Sequence, residues 1–182
     1  MSDLPEIRTI SASDIASAII VREAMLSRDG LETGGILLGT EYDQRVEVLH
    51  AGGPGPNARR GVDFFFRDLE HVQQISDAAW STDHSQWIEE WHTHLIGSLV
   101  PSRTDLLSYR RHLADPELGF VHFIAIVVGL HPRSGITAAA WVVEPDRVRP
   151  VTMMPAGPCA PNAGGETDPG PESWQERMLQ GD

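Results

Sequence analysis

In the run Trp91-His92-Thr93-His94-Leu95-Ile96-Gly97-Ser98-Leu99-Val100-Pro101-Ser102-Arg103-Thr104-Asp105, two histidines stand one residue apart. In an extended strand, residues i and i+2 point to the same face, so both imidazoles can reach one metal ion. The preceding Trp87-Ile88-Glu89-Glu90-Trp91 is aromatic and β-branched enough to predict the strand that delivers them. Leu95 to Val100 reads as a loop around Gly97, and Pro101-Ser102 opens a helix with Asp105 in its first turn. A carboxylate there can fold back as a third ligand. Two histidines, one carboxylate and a water make a catalytic zinc site with an open position. Ser102 and Asp105 also have a purely conformational reading, because Ser-x-x-Asp before an apolar helix is close to a capping box. The two readings are compatible, since a capped first turn holds Asp105 in place.

Working outward towards the N-terminus, Ser11-Ala12-Ser13-Asp14 is a helix start. Ile15, Ala18, Ile19, Arg22, Met25 and Leu26 follow at helical spacing and predict one buried face. Arg28-Asp29-Gly30 stops that helix. Glu32 then begins Glu32-Thr33-Gly34-Gly35-Ile36-Leu37-Leu38-Gly39, a short apolar strand between glycines. Gly34 and Gly35 allow close backbone approach, by a peptide substrate or by an adjacent strand. Read alone, Glu32 is a solvated carboxylate at a helix–strand junction. Val46 to His50 alternates as a strand, with His50 in a hydrogen-bonded structural role. A Gly/Pro-rich loop from Ala51 to Gly61 holds Arg59 and Arg60, and Val62 to Phe66 follows as a strand.

Asp68 caps a second helix, whose stripe is Leu69, Val72, Ile75 and Ala79, and Ser81 to Ser85 is a polar connection. In a regular site strand Ile88, Glu90, His92 and His94 share one face. Glu90 is then either an edge glutamate or a partner that orients a ligand histidine. The helix after Asp105 runs through Leu106, Leu107, Tyr109, Arg110 and Leu113 to Asp115-Pro116. Phe120 to Val128 predicts a buried strand, His131 to Gly135 a turn, and Ile136 to Val143 the return strand of an antiparallel hairpin. From Thr152 the composition turns to Pro, Gly, Ala and acidic residues. We read 1–151 as one domain and 152–182 as a flexible extension, with an amphipathic turn at Ser173–Leu179. The residues alone give α/β or α+β.

Composition narrows the function. The chain has 182 residues, 41% hydrophobic and 22% charged, which suits one soluble globular domain. No apolar run approaches the ~18 residues of a membrane span. The acidic start Met1 to Glu6 lacks a signal pattern, and the single Cys159 excludes an internal disulfide, so a cytoplasmic location is expected. A net charge of −12 argues against non-specific nucleic-acid binding. All 14 basic residues are arginine. The absence of lysine has two readings: codon bias in a GC-rich genome, or avoidance of self-modification beside a lysine-conjugating machinery.

His-x-His, seven residues, Ser, two residues, Asp resembles the signature of the JAMM (MPN-plus, or JAB) metallopeptidases, and the Glu32 segment resembles that family's glutamate motif. The resemblance runs from about Ile10 to about Val151. It is closest to the bacterial branch, including Gly53-Pro54-Gly55-Pro56-Asn57-Ala58-Arg59-Arg60. It implies a mixed, curled β-sheet with flanking helices, of the cytidine-deaminase-like group. It also implies Zn2+ held by His92, His94 and Asp105, with Glu32 as general base towards a zinc-bound water and Ser102 as oxyanion donor. Gly34, Arg59 and Arg60 would lie on the substrate side.

The implied activity is a zinc isopeptidase or peptidase. It would cut after the C-terminus of a bacterial ubiquitin-like protein, in precursors or conjugates, with E1-like and E2-like proteins of the same operon as partners and antiviral defence as one setting. Two alternatives stand beside it: trimming of a sulfur-carrier protein, and a metal-free MPN scaffold for assembly. One departure from the family is Leu95, where a proline usually follows the second histidine. A proline would stiffen the loop exit, and its loss removes no ligand.

Overall fold

Alternating strands and helices with mixed polarity build a curled sheet in this computed structural model, which describes residues 6–95, 98–131 and 135–155. The acidic start before Glu6, the loop centre at Gly97, the tip of the His131–Gly135 turn, Cys159 and the Ser173–Leu179 turn lie outside the described residues. The elements are β1 (Thr9–Ala12), α1 (Asp14–Leu26), β2 (Gly34–Tyr42), β3 (Arg45–Ala51), β4 (Arg59–Arg60) and β5 (Phe65–Phe66). They continue as α2 (Leu69–Asp83), β6 (Gln86–His94), α3 (Arg103–Ala114), β7 (Phe123–His131), β8 (Gly135–Val143) and β9 (Val148–Pro155).

The sheet runs β1-β3-β2-β6-β7-β8-β9 and closes on itself through parallel pairing of β1 with β9. β6 and β7 are also parallel, joined by the α3 crossover, as parallel neighbours require. β7 and β8 form the expected antiparallel hairpin. Alternate residues of the central strands serve the two faces. Leu37, Ile124, Ile126 and Val128 pack with Ala16, Ile20 and Ala24 of α1. Ile36 and Leu38 pack with Val72 and Ala79 of α2, while Phe123 and Ala125 pack with Tyr109 of α3. The observed fold is therefore the mixed, curled α/β sheet with three helices that the resemblance implied. Among the described residues no helix is long and apolar enough to cross a membrane.

Four local expectations change. The buried stripe of α1 is Ala16, Ile20 and Ala24, whereas Ile15, Met25 and Leu26 face outward. α1 is apolar nearly all round, so periodicity alone could not choose its buried side, and the small alanines let it sit close against the sheet. The expected strand Val62 to Phe66 shrinks to β5, paired with the two-residue β4 inside the Gly/Pro-rich loop. α2 runs on to Asp83, through most of the expected polar connection, and His50 bonds Asp83 at 2.7 Å. Thr152 to Pro155, expected as the start of the extension, are the end of β9 and pair with Thr9 to Ala12. Barrel closure recruits them despite their composition.

The site strand is not regular. Opposite β2 its register shifts between Leu37 and Leu38, and Glu89 has φ of 137°. A β-bulge of this kind reverses the in–out alternation. Ile88 consequently packs in the core on the α1 side with Trp91, while Glu90 shares the opposite face with His92.

Glu89 itself is fully buried with both carboxyl oxygens unbonded, and burial pushes its pKa well above the ordinary 4.5. The folded chain therefore keeps a proton that the unfolded chain releases as pH rises above 4.5. Folding stability contributed by this group falls with rising pH, by at most about tenfold in the equilibrium constant per unit. Urea unfolding of wild type and Glu89→Gln across the acid-to-neutral range should show the variant gaining relative stability as pH increases. Parallel curves for the two proteins would mean that Glu89 ionises normally.

Candidate functional site

Glycines bring the β2 end of the site against β6. A Cβ on Gly34 would stand 2.3 Å from the Trp91 carbonyl oxygen, and one on Gly35 would stand 1.9 Å from that of Gly52. The close approach anticipated at Gly34 is thus taken up by the adjacent strand. Thr33 and Thr93 lock the same junction: the Thr33 amide donates to Thr93 Oγ1 at 3.0 Å, and the Thr93 amide donates to the Thr33 carbonyl at 2.7 Å. Glu32, one residue earlier, is half-buried beside the histidines.

Arg60 secures Glu32 from behind. Its guanidinium donates to the carbonyls of Glu32 and Leu31 at 3.0 and 3.2 Å and pairs with both oxygens of Asp29. Arg59 lies over the Phe66 ring, 4.9 Å from its centroid. Neither arginine is among the residues lining the groove beside the histidines. The Arg60 donors are committed to the chain that carries Glu32 and to Asp29.

At the other side, α3 starts in a capping box. Ser102 Oγ accepts from the Asp105 amide at 3.2 Å, and Asp105 Oδ2 accepts from the Ser102 amide at 2.6 Å. That same Oδ2 lies 3.2 Å from His94 Nε2 and 3.5 Å from His92 Nε2, and the two Nε2 atoms are 3.0 Å apart. Capping and convergence on the histidines coexist, as the spacing suggested. His94 Nδ1 donates to the Ser98 carbonyl at 2.9 Å, so in the neutral ring its Nε2 presents a bare lone pair.

Three potential ligand atoms, from His92, His94 and Asp105, therefore lie within 4.8 Å of one another. A carboxylate oxygen and imidazole lone pairs repel unless a proton or a metal cation sits among them. Two imidazoles and one carboxylate are a donor set that such a metal accepts.

The electrostatics agree with this arrangement. Burial works against the charge of Asp105, but the neighbouring His92 and His94 and the Ser102 contact outweigh it and hold the carboxyl well below the usual range. Burial likewise opposes a charge on His92, yet the neighbouring carboxylates of Asp105, Glu90 and Glu32 raise its pKa. For Glu32, burial raises the pKa and the two histidines oppose it. A carboxyl whose pKa is shifted upward binds a proton more readily than a free carboxylate.

A groove of about 350 Å³ leads away from these groups. One wall is the Phe64-Phe65-Phe66-Arg67 segment, another is Ser108 and Arg111 of α3, and Trp87 and Glu90 of β6 form the floor. Sequence reasoning missed Arg67 and Tyr109. Arg67 pairs with Glu90, and the Tyr109 hydroxyl lies 3.2 Å from His92 Nδ1. Tyr109 could have been found, because four residues beyond Asp105 it shares that residue's face of the helix. Nothing in the sequence around Arg67 marks it.

Residues 15–143 match the family of prokaryotic homologs of the JAB domain (Prok-JAB). The chain belongs to this family. Two curated relatives of this prokaryotic JAB chain are each named CD-NTase/cGAS isopeptidase. The one from Enterobacter hormaechei subsp. hoffmannii is 27% identical over 113 residues, 61% of this chain and 62% of the relative. The one from Vibrio cholerae serotype O1 is 30% identical over 88 residues, 47% of this chain and 56% of the relative. The matched stretch thus spans only about three-fifths of each relative's length. A solved structure, protein DSY2949 from Desulfitobacterium hafniense, superposes with a TM-score of 0.61 at 14% identity, covering 81% of this chain and 92% of that one. That likeness concerns the JAB fold alone.

Proposed function

We propose that this chain is a zinc-dependent isopeptidase that releases a protein joined through its C-terminal carboxyl to an amine of a target. The observation that carries the reading is the convergence of His92, His94 and Asp105 beside Glu32 at the end of a groove. A zinc ion held by His92, His94 and Asp105 would supply Lewis-acid polarisation of the scissile carbonyl and acidify a water.

The chain's own residues do the rest. Glu32, tuned upward by burial, takes a proton from the attacking water and delivers it to the leaving amine. The Ser102 hydroxyl, fixed at the start of α3, donates to the oxygen that gains charge. The groove between Phe64–Arg67 and α3 receives the extended chain before the scissile bond and keeps water from it. Arg60 holds Glu32 in place without touching substrate.

The names of the two relatives point to a CD-NTase as the conjugated protein. The family motif, read on its own, points to a ubiquitin-like protein. We assign the catalytic unit to the barrel through Pro155, with the following residues as an extension. To test the reading, zinc-loaded protein is mixed with a CD-NTase and with a ubiquitin-like protein, each linked through its C-terminus to a lysine side chain. Release of the intact C-terminus from one of them, abolished by a chelator and restored by zinc, is the expected result. A protein that takes up no zinc and leaves both conjugates whole would be the metal-free scaffold instead.

A further inference from the structure

The two histidines have their outer nitrogens engaged in different ways. His94 Nδ1 meets a backbone carbonyl, that of Ser98, which can only accept. His92 Nδ1 meets the hydroxyl of Tyr109 at 3.2 Å, a group that can donate or accept. By itself that contact leaves the His92 tautomer open, and a His92 protonated on Nε2 could not ligate a metal there.

The surroundings of Tyr109 remove the ambiguity. The carboxylate of Glu90 faces the same nitrogen, with Oε1 3.7 Å from His92 Nδ1. Glu90 Oε2 is paired with Arg67 Nη2. A carboxylate paired with a guanidinium accepts hydrogen bonds and repels a bare nitrogen lone pair, so the ring nitrogen that faces it is the one that carries the proton. The phenol oxygen, 3.2 Å away, accepts that same Nδ1 proton. Tyr109 cannot swing away, being 1% exposed and stacked on Phe123 at 4.1 Å between ring centroids. We infer that Arg67, Glu90 and Tyr109 form a directed hydrogen-bond relay that fixes His92 as the Nδ1–H tautomer, with its Nε2 lone pair turned to His94 and Asp105. They are positioning residues, acting on the metal through His92.

The relay has a second consequence. Arg67 directly follows Phe66 of β5 and directly precedes Asp68, whose side chain accepts from the amides of Asn57 and His71 at 3.0 and 3.3 Å and so caps α2. Its guanidinium also lies over the Trp87 ring, 5.7 Å from the centroid. Arg67, Trp87 and Glu90 all line the groove. A chain segment in the groove therefore presses on the far end of the relay, and the orientation of a metal ligand becomes sensitive to groove occupancy.

The inference rests on the proposed metal site, and the test separates the two. Zinc affinity of the full chain is measured by competition with a chromophoric chelator at fixed pH, for wild type, Tyr109→Phe and Glu90→Gln. The visible spectrum of the cobalt-loaded proteins is recorded alongside. Tyr109→Phe keeps the stacked ring and loses only the oxygen, so its metal-free melting temperature should stay close to wild type. Its zinc Kd should rise by about 10–100-fold, the usual effect of losing a partner behind a ligand histidine. Glu90→Gln, which removes the charge facing His92 Nδ1, should shift Kd in the same direction by less, and both variants should alter the cobalt spectrum.

Wild-type affinity and spectrum in both variants would overturn the relay while leaving the metal site standing. Absence of zinc and cobalt binding in the wild type would overturn the site itself. If Tyr109→Phe fails to fold, Glu90→Gln decides alone, since its side chain lines the groove floor.

Discussion

Glu32→Gln is expected to lower the rate of isopeptide cleavage by about 10²–10⁴-fold, the range for loss of a positioned general base. The substitution keeps size and shape, and the Glu32 backbone stays clasped by Arg60 and Gly61. Nothing in the fold should respond. Glu32 stands outside the group of converging ligand atoms, so zinc content should remain at the wild-type level. The pair of measurements is turnover of the conjugate and zinc per chain, made on the same preparation. Wild-type turnover in the variant would remove Glu32 from the reaction and leave its raised pKa as a plain consequence of burial.

The second large effect concerns the ligands. His94→Ala and Asp105→Ala are each expected to lose the metal and, with it, all detectable cleavage. They should differ in one respect. His94→Ala removes an imidazole whose other contact is a loop carbonyl, whereas Asp105→Ala also opens the capping box at the start of α3. Loss of such a cap costs about 1 kcal/mol, so the metal-free Asp105→Ala protein should melt below metal-free His94→Ala. Elemental analysis and thermal melts of the two variants check both statements. Stoichiometric zinc in both would place the metal elsewhere.

The candidate site was legible because its residues follow strict local rules. His92 and His94 share a face by strand alternation, and Ser102 and Asp105 sit at capping-box spacing whether or not a metal is present. What the sequence hid depends on non-local packing. Ile88 and Glu90 stand two apart, yet the bulge at Glu89 sends them to opposite faces, and no residue type there announces a bulge. In α1, apolar residues occupy nearly every side, so only the sheet decides that Ala16, Ile20 and Ala24 go in. Arg60 looked like a free loop cation, and its partner Asp29 is thirty-one positions away. β9 was hidden for a similar reason: Thr152-Met153-Met154-Pro155 becomes a strand because Thr9 to Ala12 offer it an edge.

The pairing of β1 with β9 also constrains how the molecule comes into being. Thr9 must meet Thr152, so the ring of strands cannot close until nearly all of the barrel has left the ribosome. At synthesis rates of about 5–20 residues per second, β1 waits for seconds with one edge unsatisfied. Pairings this distant in the chain are slow to form, and open strand edges invite association with other chains. Nascent chains stalled before Val148 should therefore be protease-sensitive and prone to self-association, although every proposed ligand of the metal has already been made.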